Sequence, residues 1–186
     1  MKKASLEPGE EFINQQYLEV ILQQCDSAVD AIRKLEALLR ANPLENRKIF
    51  DSLHHFLTHA SMVSKMLWPV KSAQQRGERL RKLLNIPDNH ILEDRDLRNF
   101  IEHIDERIDL WARQSVGLIM VDLYIGPRSS LGGQLADARN ILRLYDHQAK
   151  TYIVFGEEYR IQDILTGLTG IAETLMGMGY QPTLGP

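Results

Sequence analysis

The stretch Leu92-Glu-Asp-Arg-Asp-Leu-Arg-Asn-Phe-Ile-Glu-His-Ile-Asp-Glu-Arg-Ile-Asp-Leu-Trp-Ala-Arg113 has the clearest hydrophobic periodicity in the chain. Its apolar residues recur at steps of three and four, which is the spacing of one helix face. These residues are Leu97, Ile101, Ile104, Ile108 and Trp111. We therefore predict a single helix over about residues 92–113, with this face buried.

The sequence before this stretch has the same helical spacing of apolar residues. One helix is predicted from about Glu10 to Arg40, where Asn42-Pro43 stops it, and a second from about Leu44 to Leu67, where Trp68-Pro69 ends it. A short helix through Leu80, Leu83 and Leu84 is expected to follow.

After Ser115 the pattern changes to short apolar runs that are typical of strands. Strands are predicted over residues 116–125, 141–145, 151–155 and 159–161, with Gly156-Glu157 as the turn of a hairpin, and a final helix over about 162–178. The predicted fold is mainly α: a bundle of four to five helices with a small C-terminal antiparallel β-sheet and a last helix. We divide it into a helical part, 1–115, and a sheet-plus-helix part, 116–186, packed together as one unit.

The composition is that of an ordinary globular protein, and it narrows the classes of function. The chain has 186 residues, 44% hydrophobic and 25% charged, and a formal net charge of −3. A general nucleic-acid coat protein would be basic, so that class is not favoured, although a small catalytic site on RNA needs only a local positive cluster. A single cysteine, Cys25, permits no internal disulfide and no cysteine-based zinc site. With no signal-peptide core and no membrane-length apolar run, the sequence predicts a cytoplasmic protein without membrane contact.

The segment Arg98-Asn99-Phe100-Ile101-Glu102-His103 is the most informative motif. On a continuous helix with Leu97 at the centre of the buried face, Asn99 and His103 fall on the opposite face, and Arg98 lies on a flank. Asn99 and His103 are four residues apart, so their side chains would be neighbours. This histidine is therefore predicted to face water or another surface.

An arginine, a polar residue and a histidine at this spacing resemble the Rx4–6H signature of the HEPN superfamily, over roughly residues 10–113. The resemblance implies a homodimer in which two copies of the motif line one cleft and cleave RNA without a metal ion or other cofactor, in toxin–antitoxin or phage defence. His103 would act as general acid or base, Arg98 would stabilise the phosphate, and Asn99 would orient His103 or bind the phosphate. RNA and an antitoxin or other protein are the further partners that it implies.

Two other interpretations of this motif stay open. Arg98 and Glu102 form an ordinary solvated i,i+4 pair on a helix, and Asn99 and His103 then have no role beyond the surface. Glu102 and Glu106 also place negative charge beside the proposed phosphate site. A HEPN-like protein can equally be a non-catalytic binding or scaffold protein, with the motif face serving only as the dimer interface.

Two more clusters are candidates for binding. His54, His55 and His59 crowd the second helix, but the HExxH pattern is absent, so a helix–helix or subunit contact is favoured over a metal site. The stretch Lys71–Lys82 holds five basic residues and one acidic residue. It is either a solvated face or a contact for an anionic partner.

Overall fold

The computed structural model describes residues 8–99, 104–115 and 120–182. Its α-helices are α1 (Pro8–Leu39), α2 (Asn46–Leu67), α3 (Gln74–Leu83), α4 (Arg95–Arg98), α5 (Ile104–Gln114) and α6 (Ile161–Gly177). Its strands are β1 (Tyr124–Ile125), β2 (Arg143–Asp146), β3 (Thr151–Val154) and β4 (Glu157–Arg160). The predicted mainly helical fold with a small C-terminal sheet and a last helix is confirmed.

The main core lies between the long helices and one face of the sheet. α1 packs along α2, and α6 packs against α1 and against the 3-10 turn Ile91–Glu93. The strands contribute Tyr145 and Tyr152, each 1% exposed, to the same cluster of buried side chains. Side chains from the helices and from the sheet therefore belong to one core.

The sheet has the order β1-β2-β3-β4, and it is mixed rather than purely antiparallel. β1 runs parallel to β2, while β2–β3 and β3–β4 are antiparallel. Successive side chains alternate between the two faces, as strand geometry requires. Tyr152 and Val154 join the main core, whereas Ile153 packs into a second small cluster with Val121, Ile141 and Leu144. Both faces of the sheet are thus covered.

The β3–β4 hairpin turns at Phe155-Gly156, one residue earlier than the predicted Gly156-Glu157. Val154 pairs with Glu157, which leaves two residues in the loop, with φ of 51° at Phe155 and 80° at Gly156. A loop with positive φ at both central residues matches the twist of the flanking strands. Phe155 adopts this unfavourable backbone conformation while its ring packs on the main core.

α3 approaches the end of α2 so closely that only glycine fits at the contact. A Cβ at Gly77 would overlap Pro69 Cδ and lie 2.6 Å from the Leu67 carbonyl oxygen. Arg81 donates a hydrogen bond to that same oxygen and lies over the Trp68 ring. These contacts fix the position of α3 beside α1 and α2. Across the described ranges, no helix combines the length and apolar composition needed to cross a bilayer.

Candidate functional site

The predicted motif begins at the end of α4 and continues beyond the described residues. Arg98 is the last residue of α4, and Asn99 follows it in a turn and is partly buried. The described part of the structure does not include the side chain of Arg98 or residues 100–103, and so does not include the catalytic candidate His103. The assignment of Arg98, Asn99 and His103 to catalysis therefore stays a prediction.

The predicted single helix over 92–113 is wrong, because α4 and α5 are too close together to belong to one straight helix. Arg107 Nη2 lies 3.3 Å from the carbonyl oxygen of Asp96 and 3.7 Å from its carboxylate. Eleven residues of straight helix span roughly 16 Å, far more than an arginine side chain can reach. The helical-wheel argument that placed Asn99 beside His103 consequently loses its basis.

The face of α5 that was expected to be buried is largely exposed. Ile104 is 36% and Ile108 is 44% exposed, and α5 contributes no fully buried side chain. Every other helix of ten or more residues within the described ranges contributes buried side chains to the core. From Ile104 onward the periodicity marks a helix, as predicted, but its apolar face does not cover the core of this subunit, whereas Leu97 on α4 is buried.

Two side chains hold α5 against the sheet. Arg107 donates a hydrogen bond of 2.7 Å to the hydroxyl oxygen of Tyr159, and burial raises the pKa of Tyr159 to about 12. Trp111 lies against the hairpin, since a Cβ on Gly156 would be 3.8 Å from its Cδ1. Trp111 Nε1 is buried and has no hydrogen-bond partner among the described residues. α5 is therefore anchored at one edge, with Ile104 and Ile108 left beside it.

The segment between α4 and α5 is flanked by carboxylates. Asp94 and Asp96 precede it, Asp105 and Glu106 follow it, and all four are exposed. Asp94 accepts a hydrogen bond of 2.8 Å from the Asp96 backbone N–H, and so caps the start of α4. The surroundings of the motif are thus acidic, as its own sequence indicates.

His55 and His59 lie at the groove between α1 and α2, as the helix–helix interpretation of the sequence expected, whereas His54 does not line this groove. The ring nitrogen Nδ1 of His59 is 2.8 Å from Gln24 Oε1 on α1, and a cavity of about 200 Å³ is lined by His55, His59 and Asp30, among others. Burial, and then the neighbouring His55, lower the pKa of His59. Within residues 8–99, 104–115 and 120–182, no three metal-ligating side chains come together.

An ion pair that the sequence analysis did not predict, Asp122 with Arg143, joins the sheet to the segment before it. Asp122 accepts two hydrogen bonds from Arg143, of 2.7 and 2.8 Å. These hydrogen bonds hold the pKa of Asp122 below its usual value. The partners are 21 residues apart, so no local pattern could have paired them. We assign this contact a structural role, in which it holds the segment before β1 against β2, and no role in a chemical reaction.

A second candidate site lies between the start of α3 and the first turns of α1. We call it the basic cleft, and its lining includes Lys71, Arg76, Arg79 and Glu10, around a cavity of about 820 Å³. The cationic residues belong to the Lys71–Lys82 stretch singled out from the sequence. The sequence did not predict the contribution of α1, because Glu10 is about seventy residues from Arg79 in the chain and no motif links the start of α1 to the Lys71–Lys82 stretch.

The chain has no match among protein-family models, curated proteins or solved structures. A functional assignment therefore depends on the geometry of these residues and on the sequence resemblance described above.

Proposed function

We propose that this protein is a HEPN-like homodimer in which α5 forms the subunit interface, and that the paired segments 98–103 cleave RNA without a metal ion. The observation that carries the proposal is the exposed apolar face of α5. A helix of 11 residues is marginal in water unless its apolar face is covered. Its own subunit covers little of it, so a second surface is needed.

A second copy of the chain is the occupant that we propose for this face. In a two-fold pair each surface meets itself in the opposite direction, so the apolar face of α5 can be covered by its own copy. The two α5 helices would cross near Ile104, at their starts, and Ile104 and Ile108 of both subunits would pack at the crossing.

Such a pairing would also bring a second histidine and a second arginine to the site. One histidine and one arginine are too few groups for acid, base and phosphate stabilisation together, and a second subunit brings the matching pair. The segment 98–103 lies directly before α5, so an interface on α5 would draw the two segments toward each other. His103 would then move the proton, while Arg98 and Asn99 would bind the phosphate.

The second candidate function is a non-catalytic binding or scaffold protein that dimerises through the same face. The exposed carboxylates on both sides of the segment favour it, because they repel RNA phosphates. Both candidates need the dimer, and only the first needs His103 and Arg98.

RNA cleavage in the presence of EDTA separates the two functions. The wild type, His103→Ala and Arg98→Ala are incubated with a labelled single-stranded RNA, and His147→Ala and Arg40→Ala serve as controls because those side chains are exposed elsewhere. The nuclease proposal predicts cleavage that survives EDTA, persists in both controls, and falls by about a hundredfold or more in the two motif variants. Intact dimers without any cleavage would support the binding protein. Equal cleavage by the wild type and by both motif variants would overturn the catalytic role of the motif.

A further inference from the structure

The basic cleft holds two arginine side chains at the contact between α3 and α1. The Arg76 guanidinium carbon lies 4.4 Å from the centre of the Tyr17 ring, and an Arg79 nitrogen lies 3.6 Å from Glu10 Oε1. Stacking on an aromatic ring fixes the plane of a guanidinium group and leaves its edge free to donate. The two contacts therefore set both arginines in place along one face of α1.

Both arginines keep unused hydrogen-bonding capacity inside the cleft. The Nε atoms of Arg76 and Arg79 are buried and have no acceptor in the part of the chain that the structure describes. Buried polar atoms are nearly always paired in proteins, so an unpaired guanidinium nitrogen indicates an acceptor from outside the chain. Two such atoms on neighbouring arginines indicate an acceptor with several oxygens.

Asn14 adds an independent observation on the α1 side. It is only 3% exposed, and neither its amide nitrogen nor its amide oxygen has a hydrogen-bond partner among the described residues. On α1 it lies one turn after Glu10 and one turn before Tyr17, which are the residues that the two arginines contact. An unsatisfied buried amide thus lies between the two arginine contacts.

The remaining charges of the cleft leave it suited to an anion. Lys71 adds a third cation at the rim, and Glu78 is engaged with Gln74, whose amide nitrogen lies 3.0 Å from it. Among the described residues of the cleft, Glu10 is the carboxylate that pairs with an arginine, Arg79, and both partners are partly exposed. A half-exposed pair of this kind is weak, so a stronger acceptor can displace it.

We propose that the basic cleft is a binding site for the phosphate group of a small phosphorylated ligand. Arg76 and Arg79 donate to its oxygens, and Lys71 adds a point charge. The guanidinium fork matches phosphate geometry, and the cavity of about 820 Å³ has room for more than the phosphate alone. Glu10 competes with the ligand for Arg79. This site is separate from segment 98–103, so neither proposal depends on the other.

Isothermal titration calorimetry of the full chain with inorganic phosphate, AMP and a short single-stranded RNA tests the site. Binding of phosphate and AMP is expected, with AMP at least as tight as phosphate, because its sugar and base occupy the rest of the cleft. The double variant Arg76→Gln/Arg79→Gln is expected to weaken both by about tenfold or more. Arg33→Gln, which removes an exposed arginine in an ion pair on α1, is the matched control and should leave the affinity unchanged.

Glu10→Gln gives a test that a folding defect cannot imitate. Removal of the competing carboxylate should tighten AMP binding by roughly threefold, because Arg79 is no longer shared. Three results would overturn the proposal: no binding of either small probe, equal binding by the wild type and the double arginine variant, or binding of the RNA alone. The RNA result would mean that the cleft contacts a polymer backbone instead of a small ligand.

Discussion

The replacement Gly77→Ala tests the close packing that places α3, and with it the basic cleft. In the middle of a helix, alanine is favoured over glycine by about 1 kcal/mol. At this position, however, the new Cβ would overlap Pro69 Cδ and lie 2.6 Å from a backbone oxygen, neither of which is the flexible end of a side chain. Overpacking of this kind costs about 1–3 kcal/mol. Because the obstacles are rigid, we take the upper part of that range and expect a net loss of about 1–2 kcal/mol.

Gly170→Ala in α6 is the matched control, since it has the same helix propensity gain and no neighbour within 4 Å of the added Cβ. It should raise the free energy of unfolding by about 0.5–1 kcal/mol. Urea unfolding followed by circular dichroism measures both variants, with the slope checked to be unchanged. If Gly77→Ala proved as stable as Gly170→Ala, the close contact between α3 and the end of α2 would be refuted.

Three further outcomes follow from single contacts. Burial raises the pKa of Cys25 to about 12, so iodoacetamide should label it only after denaturant is added, and fast labelling of the native protein would contradict its burial. His90 Nδ1 accepts a hydrogen bond from Leu92 N–H, and burial lowers the pKa of His90 from 6.5. Because the unfolded chain binds a proton at this histidine more readily than the folded chain does, the free energy of unfolding should fall as the pH drops below 6.5. His90→Asn keeps an acceptor but cannot titrate, so its urea midpoint should change less between pH 7.5 and about pH 5 than that of the wild type. Tyr159→Phe should lower the free energy of unfolding by about 1 kcal/mol in the wild type. In a chain that already carries Arg107→Met, the same replacement should cause almost no further loss. If the two losses simply added, the hydrogen bond between these side chains would contribute nothing to stability.

The sequence predicted the helices that are bounded by strong stop signals. Proline follows the first two within a few residues, and α1 and α2 end at Leu39 and Leu67, as expected from Pro43 and Pro69. The last helix, with dense apolar residues at helical spacing, also lies where it was predicted. Where local backbone chemistry determines a boundary, one sequence is enough to locate it.

The break after Arg98 could not be predicted, because no proline or glycine marks it. A cue was present upstream, since Asp94 is a typical N-cap residue and lies inside what was predicted as one helix. Arg107 on α5 contacts Asp96 on α4, and the spacing of apolar residues says nothing about such a contact. Periodicity identifies an apolar face, but not the surface that covers it.

The sequence likewise predicted only part of each candidate site. The Lys71–Lys82 run indicates a place for an anion, because its charge is local in sequence. Glu10 lines the cleft from α1, and Tyr17 stacks under Arg76. An asparagine in a helix, such as the nearby Asn14, carries no signal that its amide will be buried without a partner among the described residues. The mixed sheet is a similar case, since β1 has only two residues and its parallel pairing depends on tertiary contacts such as Asp122 with Arg143.

The mass of the protein in solution tests most directly whether α5 pairs two subunits. Light scattering coupled to size exclusion should give about 43 kDa for the wild type, twice the 21.4 kDa of one chain. Ile108→Glu should reduce the mass to that of one chain, whereas Val20→Glu on α1, at a side chain of similar exposure, should leave the dimer intact. A wild type that stays at the mass of one chain at every concentration would contradict the account.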